Sequence, residues 1–329
     1  MRTTGGGRPL IMVVLALLLL ALCTLTLVLG PANVSVSQVF DSIVKPGSDE
    51  AVSRIVWGLR IPRMAAALLA GVALSVSGLA LQTVFRNPLC GPFVLGISSG
   101  ASLGAAVAML AGFGFGCLGV LGSATVGALV VTLAVMWLAS RFERNSVLLV
   151  AGLLTGYFID ALVSVLVAQS DAESLRVYVA WGMGSFGRLV LDDIWLFFGA
   201  VVVGLAFVVC SMRYLNTALM GDDFARGLGV PVRCSKRFVL LGSSLLAAAC
   251  TAFCGPVAFV GIATPHLAFM LFKTTNCRVL VPGAALCGAN LCLVAGLFPV
   301  SIPLNALLSV VGVPVILFVI SRSAGRGNL

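Results

Sequence analysis

Unbroken apolar runs constrain this chain more than any other feature. Residues 10–29 contain no charged side chain, and comparable runs recur at 64–84, 93–111, 117–138, 147–168, 194–212, 238–253, 263–272, 279–297 and 305–320. A helix needs about 20 apolar residues to cross the hydrocarbon of a bilayer, whereas a membrane β-barrel would alternate apolar and polar positions. Continuous runs therefore predict an all-α, polytopic membrane protein of about ten transmembrane helices, with residues 1–329 forming one transmembrane domain. Composition agrees: 60% of residues are hydrophobic and 9% are charged, against roughly 25% charged in a soluble domain. That balance excludes a secreted or cytosolic enzyme.

The run at 263–272 is short and carries Pro265 and His266 near its start, which predicts a half-span or a helix broken at the proline. At the N-terminus, Arg2 and Arg8 precede an apolar stretch too long for a typical signal-peptide core, so it is taken as the first span. A lipoprotein signal ending at Cys23 is the rival, but Leu22 is bulky where a small residue should precede the cut.

The net charge of +9 does not indicate nucleic acid, because the basic residues sit in short connections where positive charge sets topology. With ten spans, 14 of the 20 Lys and Arg residues fall on one side, among them Arg8, Arg86, Arg141, Arg213, Arg237, Lys273 and Arg278. That side is expected to be cytoplasmic and to hold both termini. Lys45, Arg54, Arg60, Arg63, Arg176 and Arg188 fall in two longer external connections, roughly 31–63 and 169–193. A faint internal echo also exists: Cys90-Gly91-Pro92 leads to Gly96-Ile97, and Cys254-Gly255-Pro256 leads to Gly261-Ile262. It fits an inverted repeat, and chance similarity in a chain with 37 glycines explains it equally well.

No catalytic constellation is present: there is no HExxH, and His266 is the only histidine to activate a serine. A P-loop needs Gly-Lys-Ser/Thr, and Lys45, Lys236 and Lys273 follow Val44, Ser235 and Phe272. The chain is therefore not expected to hydrolyse ATP. Nearly all of the ten cysteines lie inside apolar runs without a CxxC pair, which marks them as packing residues; no metal site and no cofactor of its own are expected.

Asp160 is the ionisable residue deepest in an apolar run, and a carboxylate in hydrocarbon costs several kcal/mol unless it faces protein or water. At helical spacing Gly152, Gly156, Asp160 and Ser164 form one stripe with Thr155 beside it. Such an inward face is either a pathway lining or a close helix contact with Asp160 bonded to a neighbour. The longest cytoplasmic connection, 216–237, mixes helix formers with Gly221, Gly227, Gly229 and Pro231, and reads either as an ordinary solvated loop, which its composition favours, or as two short helices and a turn.

These residues resemble a known family, the membrane subunits of ABC importers for ferric siderophores, haem and vitamin B12. Arg60-Ile61-Pro62-Arg63 and the following stretch to residue 106 are similar to the family's RxPR, SGxxxQ, RNPL and LGxxxGA elements in their usual order. Residues 149–156 and 181–186 resemble segments around its fifth span, and GDDFARGLGV resembles its coupling segment. Residues 255–262 with Pro265-His266 resemble GxIxFVGLxxPH, and Pro303 and Gly312-Val313-Pro314 fall at a family proline and GAP.

The resemblance implies a homodimer with a pathway on its axis, cytoplasmic ATPase subunits that use ATP and Mg, an external substrate-binding protein, and an inner-membrane location. It implies that Arg60 and Arg63 pair with acids of the binding protein. It also implies that Gly221, Asp222, Ala225, Arg226, Leu228 and Gly229 form the ATPase-coupling segment, and that Asn145 and Ser146 lie at the cytoplasmic gate. The expected cargo is an iron chelate, a ferric siderophore first and haem or a cobalamin as alternatives. An ion-coupled secondary transporter using Asp160 is the reading from another class. The chain departs from the family at Asn290, Val294, Ser301 and Phe269, where the family usually carries charges, and Asp160 stands where the family commonly has a small polar residue.

Overall fold

The computed structural model describes residues 7–30, 34–45, 50–111, 119–141, 145–299 and 302–324. Every regular element among them is helical. The chain runs α1 (Gly7–Val28), α2 (Val36–Val44), α3 (Glu50–Ile55), α4 (Ile61–Phe85), α5 (Ile97–Met109), α6 (Gly119–Arg141), α7 (Asn145–Gln169) and α8 (Ala172–Gly182). It continues through α9 (Ile194–Cys210), α10 (Met212–Ala218), α11 (Asp222–Gly227), α12 (Val232–Cys254), α13 (Val260–Phe272), α14 (Cys277–Gly296) and α15 (Leu304–Ala324).

Each apolar run of the sequence becomes a helix, but the helices are unequal. Six described helices are long and apolar enough to cross a membrane, seven if α9 and α10, bent by 57° at Ser211, count as one span. α5, α13 and the Leu304–Pro314 part of α15 are shorter. The reason is local. α5 follows a left-handed Gly96 (φ 72°) and a 3-10 turn at Pro92–Leu95, and α13 follows a left-handed Phe259 (φ 66°), so each helix starts late after an irregular entry. Pro265 lies inside α13 without ending it. The two copies of the internal echo thus open the two 13-residue helices, and they meet: a Cβ on Gly91 would lie 2.8 Å from Ile262, and one on Gly261 would lie 2.9 Å from Pro92.

The centre of the bundle is α4, packed on α9, α12, α13 and α14. Small residues allow backbone-to-backbone approach: a Cβ on Gly71 would lie 2.4 Å from the Gly288 carbonyl, and one on Gly78 only 1.7 Å from the Gly261 carbonyl. In lipid, where burial of apolar surface gives helices no net drive to associate, such close packing and interhelical hydrogen bonds hold the bundle. Ser77 Oγ donates to the Ser243 carbonyl at 2.9 Å and Thr264 Oγ1 to Ser75 Oγ at 2.8 Å. By contrast α1 and α7 lie at the periphery and bury little of their surface.

The described parts of the 31–63 and 169–193 connections carry helix caps. Ser35 and Gln38 form a capping box at the start of α2, and Asp171 accepts the backbone N–H groups of Glu173 and Ser174 at the start of α8. Those bonds, led by the one from Ser174, hold the Asp171 carboxyl below the usual carboxylate range.

Candidate coupling surface and substrate pathway

The segment 216–237 folds into short helices rather than a plain solvated loop, α10 ending within it and α11 lying between Gly221 (φ 113°) and Gly229 (φ 73°). Those positive φ values let the chain reverse sharply on either side of one helical turn. Tyr214, fully buried in α10, donates its hydroxyl to Asp222 Oδ1 at 3.1 Å and ties the turn to the bundle. Burial, reinforced by the Asp222 charge, pushes the Tyr214 phenol well above its ordinary value, so it remains a donor. Arg226 pairs with Asp223 at 2.8 Å, an exposed contact worth at most about 1 kcal/mol.

Two of the coupling residues expected to face a partner are committed elsewhere. Ala225 is fully buried, and the Asp222 carboxylate is held by Tyr214. What the surface presents instead is apolar: Leu219 (43% exposed), Met220 (71%), Phe224 (48%) and Leu228 (60%) project from this end of the molecule. Of these only Leu228 belonged to the expected contact set. The signal for the others is large apolar residues in a charged connection.

The stripe on α7 divides. Gly152 and Gly156 are buried against the entry to α5: a Cβ on Gly152 would lie 3.1 Å from Leu95 Cα, and one on Gly96 would lie 3.0 Å from the Gly156 nitrogen. They serve helix packing. Thr155 is half-buried and bonds the Ala151 carbonyl. Asp160 and Ser164 are exposed, not inward as expected, with Ser164 Oγ bonded to the Asp160 backbone. The physical reason is that a helix stripe at four-residue spacing drifts around the axis, so its two ends face different surroundings.

Among the described residues no hydrogen bond or ion pair holds the Asp160 carboxylate. Its charge acts on Tyr178 of α8, whose phenol is pushed up by burial and then by the Asp160 charge. Nine residues separate Asp160 from the end of α7, which places it about 13 Å inside that end. Tyr157 and Phe158 are exposed beside it, at 63% and 65%. A bare carboxylate at that depth requires water or a second protein surface. Asn145 begins α7 with a side chain outside the described residues, and Ser146 is exposed.

Arg60, expected at a docking surface, is placed by the structure among carbonyls of its own chain. It is 6% exposed, and its guanidinium donates to the carbonyls of Leu27 at 2.6 Å and Val28 at 2.9 Å. A cation at the C-terminus of α1 satisfies carbonyls that have no partner within the helix. Arg63 is half-buried and donates to the Phe298 carbonyl, joining α4 to the end of α14. The sequence shows an arginine pair but not which carbonyls lie above it. Asn305 accepts from the Ala258 N–H and donates to the Gly182 and Pro256 carbonyls, a clasp that sequence reasoning missed.

At the family departures, Asn290 is buried and donates to the Leu15 carbonyl at 3.1 Å, joining α14 to α1, while Val294 and Phe269 are exposed. Ser301 lies outside the described residues. His266, half-buried, bonds the backbone of Pro88.

A bundle of apolar helices with a close-packed centre, irregular half-length helices and an apolar-tipped connection is the build of a multi-pass membrane transport subunit. The comparisons carry this to a family. Residues 17–322 match the FecCD transport family model, and the chain belongs to that family, the permease subunits of type II ABC importers. Vitamin B12 import system permease proteins BtuC of Salmonella paratyphi A and Salmonella typhi are each 34% identical over 276 residues, covering 82% of this chain and 84% of theirs. A solved structure described as an inward-facing conformation of a metal-chelate type ABC transporter superposes with a TM-score of 0.85 at 28% identity, covering 95% of this chain and 99% of that one.

Proposed function

We propose that this chain is the membrane-spanning half of an ATP-driven importer of a metal chelate, with a ferric siderophore as the first candidate cargo. Two copies enclose the pathway, each contributing ten membrane-crossing segments, with the half-length α5 and α13 counted among them. The assembly sits in the inner membrane with the termini and the α10–α11 connection in the cytoplasm. A separate ATPase binds ATP and Mg, and an external binding protein delivers the cargo. The observation that carries the coupling reading is the apolar tip of Leu219, Met220, Phe224 and Leu228, which needs a partner surface to leave water.

In this reading the buried Ala225 and the Tyr214–Asp222 bond keep the tip rigid, and Arg226 lies at its rim. Gly221 and Gly229 set the turn, and Asn145 and Ser146 remain the cytoplasmic gate. Gly152, Thr155 and Gly156 hold the inner part of α7 in place, so that Asp160 and Ser164 border the pathway. Arg63 with its neighbours forms the outer docking corner, and Arg60 braces it from within. A cobalamin cargo is the second reading, supported by the 34% identity to vitamin B12 permeases.

Proteoliposome uptake tests the whole. ATP-dependent accumulation of a ferric siderophore or cobalamin only when the partner ATPase is present supports the proposal. Accumulation driven by an ion gradient without the ATPase would replace it with the ion-coupled reading.

A further inference from the structure

Behind the coupling segment lies a cavity of about 620 Å³, walled on one side by the stretch from Leu228 to Pro231 and on the other by the ends of α9 and α10 and the start of α14. Two arginines, Arg213 and Arg278, line it, and no carboxylate lines it among the described residues. Both arginines are exposed, and neither forms an ion pair among the described residues, where the pairs are Arg54–Glu50 and Arg226–Asp223. Asn276 and Ser235 add polar groups to the same wall. Two like charges gathered without a counter-charge repel one another, and the arrangement is relieved by an anion between them.

The surroundings say what kind of anion. The cavity reaches Cys210 at the end of α9, and from there the exposed face of α9 is apolar through Val209 (53% exposed) and Val202 (45%). A basic recess that opens onto an apolar helix face at the membrane boundary matches a phosphate head with acyl chains attached. A free phosphate would have no use for the apolar strip.

We propose that this recess binds the headgroup of an anionic phospholipid of the adjoining leaflet, held by Arg213 and Arg278, with its chains along α9. The inference rests on the placement of the α10–α11 connection at the cytoplasmic face. Because one wall is the coupling segment itself, the bound lipid steadies that segment in its docking position.

The test uses the purified full-length permease without its partners. Native mass spectrometry titrates phosphatidylglycerol, phosphatidylcholine and inorganic phosphate against the wild type, Arg213→Gln/Arg278→Gln, and Arg213→Lys/Arg278→Lys. Phosphatidylglycerol should bind the wild type roughly tenfold or more tighter than phosphatidylcholine. The glutamine pair should lose that preference, and the lysine pair should keep most of it. Equal binding of both lipids to the wild type, an unchanged preference in the glutamine pair, or displacement of the lipid by millimolar phosphate would overturn the proposal. Should the glutamine pair not fold, loss of preference in either single glutamine variant supports the proposal, and retention in both refutes it. Failure here leaves the coupling reading intact; that reading fails separately if Phe224→Glu leaves ATPase-dependent uptake unchanged.

Discussion

Replacing Gly78 by alanine tests whether backbone contact between α4 and α13 holds the bundle together. A Cβ at Gly78 would sit 1.7 Å from the Gly261 carbonyl oxygen, about 1.3 Å inside the 3.0 Å that real Cβ contacts respect. The obstacle is backbone, so no side chain can rotate away. Nor can α4 retreat freely, since a Cβ on Gly71 would already meet Gly288 on α14 at 2.4 Å. Forced overpacking of this kind costs about 1–3 kcal/mol, and the backbone contact argues for the upper part of that range. Alanine returns about 0.5–1 kcal/mol through helix propensity, leaving a net loss of roughly 1–2 kcal/mol. Gly199 on α9 is the internal control, because nothing lies within 4 Å of its Cβ position and only the propensity gain applies. Thermal unfolding of the two purified variants should therefore move in opposite directions, with Gly78→Ala lowering Tm by about 1.5–3 °C. If both variants shifted alike, or Gly78→Ala were stabilising, the claim that this glycine is selected by close approach would be wrong.

Asp160→Asn should leave thermal stability within about 1 kcal/mol, because no hydrogen bond holds the carboxylate, yet change the ATP-driven uptake rate; unchanged uptake rejects the pathway role. Arg60→Met should cost roughly 1.5–3 kcal/mol by stripping α1 of its charged donor, without altering binding-protein affinity once the protein is folded; an affinity loss at unchanged Tm would restore Arg60 as a docking contact. The depressed carboxyl of Asp171 stabilises the start of α8 fully above the ordinary aspartate range, and that contribution is lost as pH falls through the depressed value. Hydrogen exchange at Glu173 and Ser174 should accordingly speed up in acid beyond its intrinsic pH trend, and Asp171→Asn, which still caps, should remove the extra dependence. Absence of that difference would show the cap to be unimportant.

Apolar runs fix where helices lie because in lipid an unpaired backbone is not tolerated, so α1, α4, α6, α7, α12 and α14 were legible from the sequence. The shortness of α13 was legible as a short apolar run, though its cause is the left-handed Phe259 at its start and not Pro265; at α5 the delay is set by a left-handed Gly96 whose φ no pattern reveals. The short helices of the 216–237 connection were legible only as one of two readings, because glycine and proline punctuate it while its composition suits a solvated loop. Which of its residues face outward was not, since a helix of six residues has too few turns for periodicity to define a face. Asp160 shows the same limit: depth follows from counting, while orientation follows from where Gly152 and Gly156 meet Gly96. Arg60 and Asn305 act through backbone carbonyls of remote segments, and carbonyl positions leave no trace in side-chain order.

The contacts divide the molecule into a stiff part and a loosely held one, and under the proposed function the division bears on how a push at the α10–α11 tip would reach the proposed pathway. The tip is tied by Asp222 to Tyr214 of α10, and Asn216 of the same helix accepts the Cys277 N–H at 2.8 Å, joining α10 to the start of α14. From α14 the backbone contact at Gly288 and Gly71 leads straight into α4, and α4 leads into α13 at Gly261. Each link is a hydrogen bond from a buried or half-buried group or a backbone contact, so displacement of the tip carries α10, α14, α4 and α13 together. α7 stands apart from this chain of links. Its principal anchor is the Gly152–Gly156 face against the Gly96 turn, where the atoms would be 3.0–3.5 Å from an added Cβ rather than interpenetrating it. Among the described residues no buried side-chain hydrogen bond crosses that seam, so it is where the proposed import cycle is expected to let the helices slide. Asp160 lies on the same helix, beyond the seam, and so moves relative to the stiff part whenever the seam slips.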